Sequence, residues 1–314
     1  MVFVIRRILQ SALVVLVMSL VVFVGVNVVG DPVHILISDD MTKEEVDRFV
    51  RQLGLDRPLH EQYLHFLANA ARGDLGNSFV HGEPALKLIL ERMPATLELA
   101  LAAFLLAVVV GIPLGMYAGL KPEAPASRAI MAGSILGFSL PTFWVGLMLI
   151  MVFAVMLGWL PSTGRGDFMT WDGLRHLALP AINLALFKMA LVTRLARAGT
   201  REAALQDYVK FARAKGLSPS RVVLVHVLKN ILVPVVTVLG LELGGLIAFS
   251  VVTETVFAWP GMGKLLIDSI QRLDRPVIVA YLVITVLMFV VINLIVDLLY
   301  AALDPRVRLR EMKA

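Results

Sequence analysis

Two charged side chains, Lys188 and Glu242, interrupt segments of the sequence that are otherwise almost entirely apolar. A charge at the centre of a membrane-spanning helix raises the free energy of insertion by roughly 2.5–3.5 kcal/mol. Each charge is therefore expected to face protein or a water-filled path, which makes the two residues candidates for lining a translocation pathway, where they would pair. The alternatives are a helix–helix pair that touches no solute and a Lys188 that faces a partner subunit.

No arrangement of residues supports an enzyme. His60 and His65 are five positions apart, whereas two zinc ligands on one helical face need a spacing of four. The segment Gly261–Leu265 (GMGKL) lacks the first glycine and the hydroxyl residue of a phosphate-binding loop. The chain has no cysteine, which excludes disulfides and thiolate metal sites. We therefore expect no catalytic residue, no metal and no cofactor bound by this chain.

The composition favours an integral membrane protein over a soluble one. Of the 314 residues, 58% are hydrophobic and 17% are charged, and a spanning helix needs about 20 mainly apolar residues. We predict an all-α membrane protein with six transmembrane helices, of which the fourth has the weakest signal. The six apolar segments are residues 8–30, 99–120, 129–160, 177–193, 231–253 and 277–300.

Two of these segments carry a further prediction. Pro141 lies inside the third segment and is expected to bend or break its helix. The first segment follows Arg6 and Arg7, as the apolar region of a signal peptide would, but it is longer than the ~7–15 residues of such a region. We therefore expect an uncleaved first helix.

Charge is distributed unequally between alternate loops. With the N-terminus inside, more than half of the 29 basic residues fall in inside segments, whereas the outside segment 31–95 holds 11 acidic and 7 basic residues. The positive-inside rule then places both termini in the cytoplasm. The same asymmetry accounts for the net charge of +5 without nucleic acid, for which we find no motif.

The predicted spans divide the chain into four regions: an N-terminal transmembrane helix (1–30), an external, periplasmic helical segment (31–95), a five-helix core (96–303) that contains a cytoplasmic loop at 194–230, and a cytoplasmic tail (304–314).

In the external segment, two amphipathic helices are predicted. The first follows a capping box at Thr42–Glu45 and stops at Gly54. The second runs over about 58–72, with Tyr63 and Phe66 on a face used for packing.

The cytoplasmic loop contains the most informative pattern. A short amphipathic helix begins near Asp207 and ends at Gly216, the residue type expected at the C′ position. Ser218 and Pro219 then begin another helix as its N-cap and N1 residues.

Two interpretations of the short helix remain open. Its basic residues fit a helix that rests on anionic lipid. Alternatively, it is a docking helix for a partner protein, with Ala212, Ala214 and Gly216 small enough to admit close approach.

Residues 208–217 resemble the cytoplasmic coupling loop of ABC-importer permeases of the dipeptide/oligopeptide/nickel family. The string Ala212–Leu217 reads A-R-A-K-G-L, as is typical of that branch, whereas Lys210 and Phe211 depart from the general family pattern. Further stretches of the chain also resemble motifs of this family: residues 73–79, 92–98, 139–144, 254–263 and 297–306. They include the structural motif residues Pro141, Glu254, Pro260, Gly261, Asp297, Asp304 and Pro305.

This resemblance implies a type I ABC importer permease fold in the cell inner (plasma) membrane. The chain would form half of a translocation pathway with a second homologous permease subunit, in contact with membrane lipid. An external solute-binding protein would deliver the substrate, and two cytoplasmic ATPase subunits would use ATP and Mg. The residues implied to contact the ATPases are Tyr208, Ala212, Arg213, Ala214, Lys215, Gly216 and Leu217.

The resemblance also implies a substrate class. Peptides are the first expectation, and nickel or another small solute is the alternative. An ion-coupled secondary transporter is a weaker alternative, because such proteins often break helices at matching positions in two halves. Here only Pro141 predicts a break.

Overall fold

A computed structural model describes residues 2–28, 44, 51 and 56–303, and these residues are mostly helical. The helix predicted to follow Thr42–Glu45 and to stop at Gly54 lies outside the described residues. The helices are α1 (Val2–Val28), α2 (Leu59–Ala70), α3 (Ala85–Leu120), α4 (Pro125–Ser139), α5 (Thr142–Leu149), α6 (Trp171–Ala204), α7 (Asp207–Ala214), α8 (Pro219–Arg221), α9 (Leu228–Val256), α10 (Met262–Gln271) and α11 (Arg275–Leu303).

Each predicted apolar segment lies largely within one of these helices or within the α4–α5 pair. Among the described residues, four helices are long and apolar enough to cross a membrane: α3, α6, α9 over Val238–Val256 and α11 over Arg275–Val296. Counting α4 and α5 as one broken span makes five, and α1 adds an apolar helical stretch over Ala12–Gly25. The sixth span and the orientation of the termini stay predictions.

The break at Pro141 is confirmed. Leu140 and Pro141 have extended backbone conformations, with ψ angles of 137° and 130°, between the end of α4 and the start of α5. Proline lacks the N–H that would continue the helical ladder, and the two helix axes meet at 110°. Beyond Leu149 the chain continues as a π-helix over Ile150–Met156.

The described residues belong to two compact units, one drawn from residues 1–95 and 261–291 and the other from 96–260 and 292–314. In the first unit, α2 packs on α1 through the predicted face. The Tyr63 hydroxyl lies 2.9 Å from Ser19 Oγ, and the Phe23 ring lies 5.3 Å from the Tyr63 ring and 5.9 Å from the Phe66 ring. The packing role predicted for this face of α2 is confirmed.

A buried carboxylate organises the rest of the first unit. Asp274, which precedes α11, is 1% exposed. It accepts hydrogen bonds from the Ser78 hydroxyl and from the Phe79 amide, the latter at 3.0 Å. Ser78 Oγ in turn accepts from the His81 amide at 2.8 Å. This network holds the glycine-rich segment 73–79 against the start of α11.

In the second unit, α6 is the central helix and contacts α4, α5 and α9. It runs well beyond the predicted segment 177–193 at both ends, because its termini carry the expected signals. Thr170 Oγ1 accepts from the Gly173 amide at 3.0 Å, as an N-cap does. Asp172 in the first turn and Arg201 in the last turn complement the helix dipole.

The close approach of α6 to α3 rests on three glycines spaced one turn apart. A Cβ added at Gly115 would lie 2.4 Å from the Thr193 carbonyl oxygen, and one at Gly119 would lie 2.8 Å from the Arg197 carbonyl oxygen. Gly111 is in the same position against Val192, at 3.0 Å. Small residues at a spacing of four let membrane helices pack backbone to backbone, and here the two helices run parallel.

This packing predicts different effects for two glycine-to-alanine changes. Gly115→Ala should lower the free energy of unfolding by about 1–3 kcal/mol, because the methyl group forces two backbones apart. Gly133→Ala on α4 should leave stability unchanged or raise it by up to about 1 kcal/mol, because nothing lies within 4 Å of the new atom. Unfolding curves of the detergent-purified chain measure the stability of both variants. Equal unfolding midpoints would contradict the close backbone contact of α3 and α6 at Gly115.

Candidate functional site

Helix α7 is seated on the membrane helices through its apolar side. Val209 is fully buried and Ala212 is 3% exposed. Both belong to a hydrophobic cluster, which we call the anchor cluster. It comprises Ile112 and Met116 of α3, Val192 and Ala203 of α6, Val209 and Ala212 of α7, Val222 and Val227 of the following π-helical turns, and Ile231, Val235 and Leu239 of α9.

The anchor cluster corrects one expectation. The docking interpretation of α7 had Ala212, with Ala214 and Gly216, admitting close approach of a partner. Ala212 instead packs inside the chain's own core, so for Ala212 that expectation is wrong. Ala214 and Gly216 are exposed. The direction of a short helix's apolar side cannot be read from its sequence when protein, lipid and partner are all apolar surfaces.

The end of α7 has the geometry predicted for it. Gly216 adopts a φ of +74° at the C′ position. Its amide donates to the Arg213 carbonyl at 2.9 Å, and the Leu217 amide donates to the Ala212 carbonyl at 3.3 Å. These two bonds are a Schellman motif. Leu217 then packs against the anchor cluster, which fixes the direction in which the chain leaves the helix.

The opposite side of α7 presents aromatic and charged groups. Tyr208 is 40% exposed and Phe211 is 62% exposed, and the Lys215 ammonium lies 4.6 Å from the centre of the Phe211 ring. Lys210 donates to Asp207 Oδ1 at 2.9 Å. This hydrogen bond and the Lys210 charge lower the pKa of Asp207. The contact is therefore present at neutral pH and is lost only as the pH falls through that lowered pKa.

The two intramembrane charges pair with each other, as one of the expected arrangements has it. The Lys188 ammonium on α6 donates to Glu242 Oε2 on α9. Lys188 is 6% exposed, and its Nζ lies 5.4 Å from the Phe187 ring and 6.0 Å from the Phe249 ring. The Glu242 side chain is 34% exposed. Because a carboxylate at membrane depth does not face lipid, this exposed edge faces water or another protein.

A second set of polar contacts joins α6 and α3 to the other end of α9. Asn183 Nδ2 donates to Thr253 Oγ1 at 3.0 Å. Glu254 is fully buried and accepts hydrogen bonds from the Thr96 and Ser250 hydroxyls, both at 2.8 Å. Each such bond satisfies a polar group that the membrane interior offers no water to solvate.

A salt bridge lies near this set. Arg165 Nη2 is 2.6 Å from Glu98 Oε2, and the guanidinium carbon lies 5.9 Å from the Trp259 ring centre. The Gly164 amide donates to the Phe257 carbonyl at 2.9 Å. The loop before α6 is thereby fixed to the segment that follows α9.

The two family models that match the chain decide its family. Residues 1–100 match the N-terminal membrane component of binding-protein-dependent transport systems, and residues 111–309 match their inner membrane component. The chain belongs to this permease family. It is therefore a subunit of an ABC importer in the inner membrane, and not itself an enzyme.

Curated relatives match this permease over nearly its whole length. It is 41% identical to the di/tripeptide transport system permease protein DppB of Pseudomonas aeruginosa, over 89% of this chain and 90% of the relative. It is 40% identical to the oligopeptide transport system permease protein AppB of Bacillus subtilis, over 97% and 98%. It is 39% identical to the glutathione transport system permease protein GsiC of Escherichia coli, over 98% of each.

A solved structure supports the fold. A chain of the inward-facing MetNI methionine ABC transporter superposes with a TM-score of 0.56 at 17% identity, over 70% of the permease and 97% of that chain. At this identity the likeness concerns the fold alone.

The family-motif residues fall at turns and buried contacts. Pro141 is the N-cap of α5, Gly261 is the N-cap of α10 and Pro260 precedes it. Glu254 accepts the two hydroxyl hydrogen bonds. The side chain of Asp297 lies outside the described residues, as do Asp304 and Pro305.

Sequence reasoning missed several residues that build the site. The stripe Gly111, Gly115 and Gly119 carried a readable signal, which is a small residue at every fourth position. Gly240 also packs closely, since a Cβ there would lie 2.5 Å from Val296. The pairing of Thr96 with Glu254 had no such signal, because no local pattern links residues that are 158 positions apart.

The Lys188–Glu242 pair predicts that its two single substitutions lower the free energy of unfolding by different amounts. Glu242→Leu leaves an ammonium in a buried site and should lower the free energy of unfolding by about 3 kcal/mol. Lys188→Met leaves a carboxylate that is one-third exposed, so its effect should be smaller. The double variant should lose less free energy of unfolding than the two single variants lose together, because residues in contact have non-additive effects.

Unfolding of the detergent-purified permease measures this cycle. Lys210→Met serves as the matched control, because the Lys210–Asp207 pair is exposed to solvent and should contribute little to the free energy of unfolding. Strict additivity of the Lys188 and Glu242 variants would mean that the two charges do not interact.

Proposed function

We propose that this permease imports peptides as one half of a heterodimeric translocation pathway. The proposal of a peptide substrate rests on the relatives, whose names refer to di/tripeptide, oligopeptide and glutathione transport. A second homologous permease would complete the pathway, and a solute-binding protein on the outer side would deliver the peptide. Both termini would lie in the cytoplasm, as the distribution of Lys and Arg favours.

Helix α7 is proposed to transmit the work of two ATPase subunits, which bind ATP and Mg, to the membrane helices. The observation that supports this proposal is that one side of α7 is buried in the protein and the other side is exposed. Val209 and Ala212 are buried among α3, α6 and α9, while Tyr208 and Phe211 remain exposed. A displacement of α7 by a partner on its exposed side would therefore be transmitted to α3, α6 and α9 through packed side chains.

The same seating argues against a helix that merely rests on lipid. Such a helix inserts its apolar side into the membrane boundary. The apolar side of α7 already packs within the protein, so the groups left for a partner are the aromatic rings and the basic side chains of Arg213 and Lys215.

Lys188 and Glu242 are proposed to lie beside the pathway. The exposed edge of Glu242 needs water or protein in front of it, and a solute path supplies water. A conformational change that alters access to this edge would be coupled to α9, the helix that begins in the anchor cluster. A ligand shifts the balance of the two access states only through a difference in its affinity for them.

The substitution of Gly216 tests the coupling role without replacing any side chain within α7 (Asp207–Ala214). Nothing lies within 4 Å of a Cβ at this position, and only the φ of +74° restricts the residue. Asn tolerates this conformation, whereas a β-branched residue does not. In the reconstituted complex, Gly216→Val should reduce peptide-stimulated ATP hydrolysis by about tenfold, and Gly216→Asn should retain most of it. Equal rates for the two variants would contradict the coupling role.

The choice of stimulant tests the substrate in the same assay. Di- and tripeptides delivered by the binding protein should stimulate hydrolysis in the wild-type complex. If a nickel chelate stimulates hydrolysis and peptides do not, the proposed substrate is wrong, while the proposed coupling role of α7 still holds.

A further inference from the structure

A groove lined by arginines lies between α4 and the C-terminal half of α6. Its volume is about 590 Å³, and its lining includes Arg194, Arg197 and Arg201 of α6, with Met131 of α4 and Glu202. We call it the basic groove. No residue of α7 is among its lining residues, and nothing in the proposed import mechanism uses it.

The three arginines share one side of α6, because they are spaced at i, i+3 and i+7. Residues at this spacing follow one another along about 10 Å of the helix. Three like charges on one side repel each other and lower helix stability unless an anion lies between them. The groove therefore has the charge and the length to hold one anionic group against several guanidinium forks.

The described part of the chain supplies no such anion. None of the three guanidiniums has a carboxylate within ion-pair distance among the described residues, and Arg197 Nε is buried without a hydrogen-bond acceptor. Arg194 lies 4.7 Å from the centre of the Phe138 ring, which holds its side chain over α4. Glu202 borders the groove without pairing to these arginines.

An apolar stripe continues from the groove along α4. Met131, Ile135 and Phe138 are spaced at i, i+4 and i+7, so they lie on one side of the helix. Ile135 is 57% exposed and Phe138 is 44% exposed. In a membrane such a surface is covered by a hydrocarbon chain or by another spanning helix. A cationic groove joined to an apolar stripe matches the two parts of a phospholipid.

We propose that the basic groove binds the phosphate of an anionic phospholipid headgroup, with an acyl chain along Met131, Ile135 and Phe138. Guanidinium groups bind phosphate oxygens through paired N–H donors, and basic pockets between spanning helices are typical sites for anionic headgroups. Free phosphate satisfies the arginines but leaves the apolar stripe uncovered. An acidic loop of an ATPase subunit also leaves the apolar stripe uncovered. Of these three occupants, only the lipid fits both the arginines and the stripe.

The test uses the complete transporter in nanodiscs, with labelled phosphatidylglycerol as the probe and labelled phosphatidylcholine as the neutral comparison. The wild-type complex should retain phosphatidylglycerol preferentially. Each of Arg194→Gln, Arg197→Gln and Arg201→Gln should weaken that retention about fivefold. Arg197→Lys keeps the charge but loses the planar fork, so it should fall between wild type and Arg197→Gln.

Arg221→Gln is the matched control, because Arg221 is an exposed arginine on α8, outside the groove. It should retain phosphatidylglycerol as the wild type does. Each variant is first checked for an unchanged unfolding midpoint and for the presence of all subunits, so that misfolding is separated from lost binding.

Three results would overturn the proposal. The first is equal retention of phosphatidylglycerol by the wild type and the three glutamine variants. The second is displacement of the labelled lipid by excess inorganic phosphate, which would make the site one for free phosphate. The third is release of the ATPase subunits by these variants with the lipid preference intact, which would assign the arginines to a protein contact.

Discussion

The backbone contact between α3 and α6 is the constraint on which the other features depend. Gly111, Gly115 and Gly119 allow α6 to pass so close to α3 that any side chain there would collide with a carbonyl oxygen or a β-branched residue. The position of α6 then fixes what it carries: Asn183, Lys188, the arginines of the basic groove and, directly beyond Ala204, helix α7. A change in the tilt of α6 therefore moves all of these groups together.

Polar contacts determine how α9 joins this pair. At membrane depth an unsatisfied polar group is costly, so the hydrogen bonds of Asn183 with Thr253 and of Thr96 with Glu254, like the ion pair of Lys188 with Glu242, restrict α9 to one register. The apolar anchor cluster contributes at the opposite end of the helices. Packing provides contact area, and the polar contacts provide specificity.

The sequence predicted the features that follow local rules. The apolar segments, the break at Pro141 and the Gly216 end of α7 depend on helix length, proline geometry and the left-handed C′ residue, all of which can be read within a few positions. Other features depend on residues that are distant in sequence. Helix α10, the Thr96–Glu254 contact and the burial of Ala212 required the tertiary structure, because a short amphipathic helix does not reveal which surface its apolar side covers.

The central claim is that α7 and the anchor cluster move as one body. The chain contains no cysteine, so spin labels can be placed at Phe211 on α7 and Val109 on α3, which are 62% and 66% exposed. Pulsed electron paramagnetic resonance on the complex with cysteine-free partners would measure the distance between them without nucleotide and with ATP bound. The account predicts the same distance distribution in both states. A shift of several ångströms between the states would contradict it, because α7 would then move independently of the helices it is meant to drive.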